Sequence, residues 1–187
     1  MPDVTFQRYD AARAREIRAT VEGVYKDSYI EAIASGHPFD SVETFMRRFD
    51  AYTAGDGFDM VVAYRDNDAV GQTWGWPLTG QGGARWWAGL LTDPEPGFTR
   101  EDGKRTFALS EIMVRQAHTG QRIAHALHDE LLSKRAEQRA TLLVEPENTT
   151  AYRAYLHWGW QKLTQLRPGW PDAPIFDVLI LPLPITR

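Results

Sequence analysis

Apolar residues along this chain recur with two periods, two and nearly four, and the switches between them mark its elements. Residues 4–9 read as a short strand, with Val4 and Phe6 alternating against Thr5 and Gln7. Asp10 then stands as N-cap of a helix from residue 11 to about 29, whose buried face carries Ile17, Val21 and Val24. Ser35-Gly36-His37-Pro38 breaks the chain. Ser41 caps a second helix with Val42, Phe45, Phe49 and Tyr52 as its apolar stripe, and Gly55-Asp56-Gly57 ends it. Residues 58–64 and 69–77 predict a hairpin turned by Arg65-Asp66-Asn67-Asp68.

The second half is organised around one strand and one helix. Residues 107–114 place Phe107, Leu109, Ile112, Met113 and Val114 around a single acid, Glu111, and read as a buried strand. Ile123, Leu127 and Leu131 recur every four residues and predict a helix, with Gly120 where it should begin. A strand, a short turn and a Gly-marked helix start form an anion site, because free N–H groups and the positive end of the dipole face whatever docks there. Residues 140–144 are another buried strand. Asn148 caps a helix running through His157 or Trp158, and Gly159 is its stop. Residues 160–166 and 175–181 are the last strands, joined by RPGWPDAP. The stretch 78–105, rich in Gly, Pro and charge, reads as a loop of the length that usually serves function. The order βααβββαβαββ predicts an α/β (α+β) architecture, a mixed central sheet of about seven strands flanked by helices on both faces. With no internal repeat or boundary, residues 1–187 are expected to be a single domain.

Charge and composition narrow the function. A net charge of −4 argues against a nucleic-acid binder, while leaving room for a local basic patch that takes a phosphorylated cofactor. No run approaches a membrane span and the N-terminal MPDVTFQRYD lacks a signal pattern, so the expectation is a cytoplasmic protein without a membrane partner. The absence of cysteine removes disulfides, thiolate metal sites and a cysteine nucleophile together.

Two motifs carry a resemblance. VRQAHTGQRIAHAL is similar to the acyl-CoA binding motif of the GCN5-related N-acetyltransferases (the GNAT family): a strand, then Arg/Gln-x-x-Gly-x-Gly/Ala, then a helix. Asn148, Ala151, Tyr155, Gly159 and Trp160 match a second family motif, Asn-x-x-Ala-x-x-x-Tyr-x-x-x-Gly-aromatic, and the pair spans roughly residues 106–160. The chain departs from the first motif at Thr119, where the family usually has Arg or Gln, and at Arg122, where it usually has a second Gly; Ala124 keeps the third small position. The resemblance implies the GNAT acyltransferase fold, whose central strands splay to admit the cofactor. It also implies an N-acetyltransferase that uses acetyl-CoA (coenzyme A) as cosubstrate. Without cysteine, direct transfer in a ternary complex is favoured over a thioester on the protein.

Candidate roles follow. Coenzyme A carries a pyrophosphate, a 3′-phosphate and an amide-containing pantetheine arm. The turn through Thr119, Gly120, Gln121, Arg122, Ile123 and Ala124 can supply N–H donors for the pyrophosphate; Ile112, Met113 and Val114 can supply a strand edge for the arm. Arg122 either adds a phosphate contact or crowds the turn. Glu111 is the candidate base, since an ammonium with a pKa around 10 must lose a proton before it attacks a thioester; the alternative is a carboxylate paired with Arg or Lys. By the resemblance, Tyr155 protonates the departing thiolate and Asn148 bonds the arm. The alternatives are a core tyrosine and a simple helix cap. Tyr152 is expected to pack near the cofactor. His125, His128 and Asp129 share a helix face and are expected to be an exposed polar face, not a metal site. Trp86, Trp87 and Trp170 suggest a hydrophobic lip, with residues 79–105 and 167–174 lining the acceptor pocket. Arg85, Asp93, Glu95, Glu101 and Asp102 either steer a charged acceptor or keep the loop soluble. A small-molecule amine is the expected acceptor and a protein amine the second choice. The other classes are an acyl-CoA sensor without turnover and a protein-interaction domain that binds no coenzyme. An exposed apolar strand edge or Trp loop would make a homodimer.

Overall fold

The computed structural model describes residues 4–169 and 173–185. Its seven strands form a mixed sheet in the order β1-β2-β3-β4-β5-β7-β6. The chain divides into two compact units, Met1–Trp76 with Glu111–Leu131, and Pro77–Ser110 with Leu132–Arg187. No helix among the described residues is long and apolar enough to cross a membrane.

In the first unit, strand β1 (Thr5–Asp10) pairs antiparallel with β2 (Asp59–Arg65), and β2 with β3 (Asp68–Pro77). Asp66 and Asn67, at φ 49° and 68°, make the two-residue hairpin turn, where both central residues must be left-handed to match the twist of the strands. The helix expected over residues 11 to about 29 is two helices, α1 (Ala11–Glu16) and α2 (Arg18–Ser28), and a third, α3 (Ile30–Ala34), follows. The breaks fall at Ile17 (φ −99°, ψ 22°) and Tyr29 (φ −116°, ψ 36°), both of which pack against the core. Burial of those side chains outweighs an unbroken ladder, since helices in proteins owe most of their stability to tertiary packing. The caps are as expected: Asp10 Oδ1 accepts from the Arg13 N–H at 2.9 Å, and Ser41 Oγ accepts from the Thr44 N–H at 3.1 Å ahead of α4 (Val42–Thr53). The core is aromatic. Tyr25 stacks on Phe45 with centroids 3.7 Å apart, and Phe49 meets Trp74 edge-on.

In the second unit, the start of β4 (Thr106–Val114), up to Ser110, pairs in parallel with β5 (Arg139–Val144) only from Thr106↔Arg139 to Ala108↔Thr141. Strand β7 (Phe176–Pro182) pairs antiparallel with both β5 and β6 (Gln161–Leu166). The stretch 78–105 holds helix α5 (Gly80–Trp86) and a buried polar anchor. Glu101 Oε1 accepts from Trp87 Nε1 at 3.0 Å, from Thr106 Oγ1 at 2.8 Å and from the Arg139 guanidinium at 3.2 Å. Gly83 is required beside it, because a Cβ there would lie 2.5 Å from Glu101 Cγ. Glu101 is therefore neither a steering charge nor a solubilising one, and Trp87, 5% exposed, is not an open lip. Trp170 and part of 167–174 lie outside the described residues.

Helix α6 (Ile123–Leu132) follows β4, and α7 (Thr149–His157) follows β5. Gly159, at φ 94°, stops α7 as expected, and Trp160 N–H bonds back to Tyr155 O at 3.1 Å.

Candidate active site

Within the first unit, Glu111, Ile112, Met113 and Val114 run without interruption into the turn and α6. Gly71 of β3 lets this strand lie close: a Cβ there would meet Met113 O at 2.9 Å and Leu127 Cδ1 at 3.0 Å. The Glu111 main chain is held by Thr73, whose Oγ1 donates to Glu111 O at 2.8 Å. Its carboxyl has no ion-pair or hydrogen-bond partner among the described residues. The expected alternative, a carboxylate paired with Arg or Lys, is not what these residues form. Burial pushes the Glu111 carboxyl up to about 7, against the charge of Arg48 on α4, which pulls it down.

The turn begins with a short 3-10 turn, Gln116–His118. Thr119 closes it, its Oγ1 donating to Gln116 O at 2.9 Å. Gly120 and Arg122 follow with φ 74° and 63°, while Gln121 between them is not left-handed. The first backbone bond of α6 runs from Ala126 N–H to Arg122 O at 3.1 Å. Among the described residues, the N–H groups from Gly120 to Ala124 therefore have no backbone acceptor. A Cβ at Gly120 would meet nothing within 4 Å, so the turn is open. A run of free donors with alternating backbone handedness, ending at a helix start, is the geometry that holds phosphate oxygens. These residues fit the pyrophosphate of coenzyme A. Ile123 is buried and begins the helix; Gln121 and Arg122 are exposed.

Arg122 thus occupies a left-handed position at the site where the family usually has Gly, and it carries the steric cost of a Cβ there, roughly 1 kcal/mol. Arg122→Gly is expected to raise the melting temperature by about 3 °C. Arg122→Ala, which keeps the Cβ, should not. Equal melting temperatures for the two variants would show that the turn is unstrained.

In the second unit, Asn148 Oδ1 accepts from the Ala151 N–H at 3.3 Å and caps α7. The Tyr152 hydroxyl donates to Asp177 Oδ2 at 2.8 Å. Burial first, and then that carboxylate, push the Tyr152 phenol up to about 12. Tyr155 is buried and lies edge-on to Trp158, with centroids 5.6 Å apart.

The exposed polar face expected of His125, His128 and Asp129 holds for His125 but not for the half-buried Asp129 or for His128. His128 is only 1% exposed, and its Nδ1 lies 3.0 Å from Asp129 Oδ1. One ligand atom from each of the three lies within 4.8 Å of the others, a grouping that could hold a metal ion. Burial, partly offset by Asp129, holds the His128 imidazole below its usual range. Sequence spacing had paired these residues on one helix face but carried no signal of which side that face turned.

A strand leading into a turn whose N–H groups lack backbone acceptors, and then into a helix start, is an arrangement that can receive an anion. The chain belongs to the acetyltransferase (GNAT) family, whose model matches residues 24–160. Solved structures share the fold at low identity. The ribosomal-protein-S18-alanine N-acetyltransferase from Escherichia coli superposes with a TM-score of 0.64 at 14% identity, over 99% of this chain and 97% of that one. The PaiA N-acetyltransferase from Thermoplasma acidophilum, in complex with coenzyme A, gives 0.60 at 10% identity over 96% and 99%. The diaminobutyrate acetyltransferase EctA from Paenibacillus lautus, in complex with L-2,4-diaminobutyric acid and coenzyme A, gives 0.60 at 16% identity over 100% and 98%. A comparison with curated proteins found no match.

Proposed function

We propose that residues 1–187 act as one N-acetyltransferase domain that transfers an acetyl group from acetyl-CoA directly to a primary amine in a ternary complex. The observation that carries this reading is Glu111, a carboxyl without an ion partner among the described residues, raised to about 7 by burial on the strand that leads into the turn. Acetyl-CoA supplies an activated thioester. Backbone N–H groups from Gly120 to Ala124, in the turn that Thr119 closes by giving its own N–H to Gln116 O, hold the pyrophosphate, and Ile112, Met113 and Val114 offer backbone to the pantetheine arm. Glu111 takes the proton from the arriving ammonium, directly or through a water, so that the free amine attacks. Tyr155, matching the family tyrosine, donates its hydroxyl proton to the departing sulfur. Asn148 and Tyr152 contribute to holding the arm. Residues 79–105 line the acceptor pocket. A cavity of about 480 Å³ bordered by Gly80, Trp87, Asp93 and Arg100 supports this. The acceptor is a small-molecule amine in this reading. The E. coli and P. lautus proteins are named for a protein alanine and for diaminobutyrate, so the fold serves both kinds.

Calorimetric titration with acetyl-CoA and with free coenzyme A tests the cofactor, and thiol release across a panel of amines tests transfer. Micromolar binding of both ligands, with amine-dependent thiol release, is expected. No binding of either ligand would overturn the reading. Binding without release for any amine would make the protein a coenzyme sensor.

A further inference from the structure

The pyrophosphate is not the only anion coenzyme A brings. Its 3′-phosphate is a phosphomonoester rich in acceptor oxygens, and free N–H groups of a turn are not matched to a second charged group one ribose away. Two cationic or donor side chains stand beside the turn in the first unit. Arg65 ends β2, and its Nη1 lies 3.1 Å from Nδ1 of His118, two residues before Gly120. A guanidinium can only donate, so His118 Nδ1 accepts and its proton sits on Nε2. The pair therefore presents nothing but N–H donors to its surroundings. Among the described residues, Arg65 Nε is buried without an acceptor and Arg65 forms no ion pair.

The neighbouring arginine is different. Arg115 is neutralised by Asp27 and donates Nε to Ala69 O at 2.6 Å, so its donors are used in holding the fold. Arg115, Asp27 and His118 border a cavity of about 250 Å³, which opens the His118 side of the turn to a ligand. Asp68, which borders the same cavity, and Asp66 in the hairpin are exposed, and water screens their charge. A permanent charge without a counter-ion, an orphaned N–H and a histidine locked as a donor form a set that a phosphomonoester completes.

We propose that Arg65 and His118 bind the 3′-phosphate of coenzyme A and make the protein select coenzyme A over 3′-dephospho-coenzyme A. This rests on the coenzyme reading above, and the test separates the two. Calorimetric titration of wild type, Arg65→Ala and His118→Ala with each nucleotide reads affinity without turnover. Wild type should bind coenzyme A at least about tenfold more tightly than the dephospho form, the effect of one or more charge-assisted hydrogen bonds. Arg65→Ala should weaken coenzyme A by about that factor and leave the dephospho form unchanged, and Arg65→Lys should recover part of the preference. Equal wild-type affinity for both nucleotides would overturn the 3′-phosphate assignment while leaving the coenzyme reading intact. So would an Arg65→Ala variant that weakens both equally, which would mean that the arginine only shapes the hairpin. Failure of wild type to bind either nucleotide would overturn both.

Discussion

Replacing Glu111 by Gln is expected to lower kcat/KM for amine acetylation by roughly a hundredfold to ten-thousandfold, the range that a positioned general base contributes. The side chain keeps its volume and loses only the ability to accept a proton. The pH profile distinguishes this from damage to the strand. A base works when ionised, so wild-type kcat/KM should rise with pH through about 7 and level off above it. In Glu111→Gln that limb should vanish. Arg48→Ala supplies a second check. Its charge now pulls the Glu111 carboxyl down, so removing it should move the limb to higher pH. Stability should change in the opposite sense to activity. The folded-state value lies above the usual carboxyl value of 4.5, so ionising this desolvated carboxyl costs stability as pH rises from that value through about 7. Glu111→Gln should therefore gain melting temperature on wild type at pH 8 and gain little at pH 4. A Gln variant with wild-type rate and an unchanged limb would remove Glu111 from the chemistry.

Glu101→Ala should destabilise the protein by about 3–5 kcal/mol, the usual consequence of leaving one member of a buried ion pair alone. Arg139 is 9% exposed and would keep its bonds to Thr106 Oγ1 and Phe98 O but lose its only ion pair among the described residues. Trp87 Nε1 would lose its acceptor at the same time. In a chain of this size the loss corresponds to a fall in melting temperature on the order of ten degrees. Glu101→Gln, which keeps the shape and an acceptor oxygen, should cost less. If Glu101→Ala unfolded within a degree or two of wild type, the anchor would be ornamental and the stretch 78–105 would be held by its apolar contacts alone.

Much of the architecture could be read from short-range pattern. Period two found the strands and period four the apolar faces of α4 and α6. Asp10, Ser41, Asn148 and Gly159 marked helix ends because a cap acts over three or four residues and needs no distant partner. The anion turn was legible for the same reason, since strand, Gly120 and helix are contiguous. The two departures from the family motif were visible too, but their meaning was not. Only the backbone revealed that Arg122 is left-handed, a property that no side-chain pattern encodes.

What tertiary structure alone decided lies in pairs far apart in the chain. Glu101 meets Arg139 across 38 residues, which turns a stretch that reads as a polar loop into an anchored one with Trp87 buried inside. Arg65 reaches His118 across 53 residues, so a hairpin residue becomes part of the turn's surroundings. His128, polar and in the middle of a helix, is buried because its face of α6 turns inward. Glu111 was visible as an acid in an apolar strand, but its lack of a counter-ion and its raised pKa depend on what surrounds it. By itself the sequence determined the strands, the capped helices α4, α6 and α7 and the type of group at each candidate position, because these are set within a turn or two of chain; it did not show α5 or the breaks at Ile17 and Tyr29. The structure decided which of those groups are charged, paired or exposed, because burial and Coulomb interaction depend on neighbours that only the folded chain brings together.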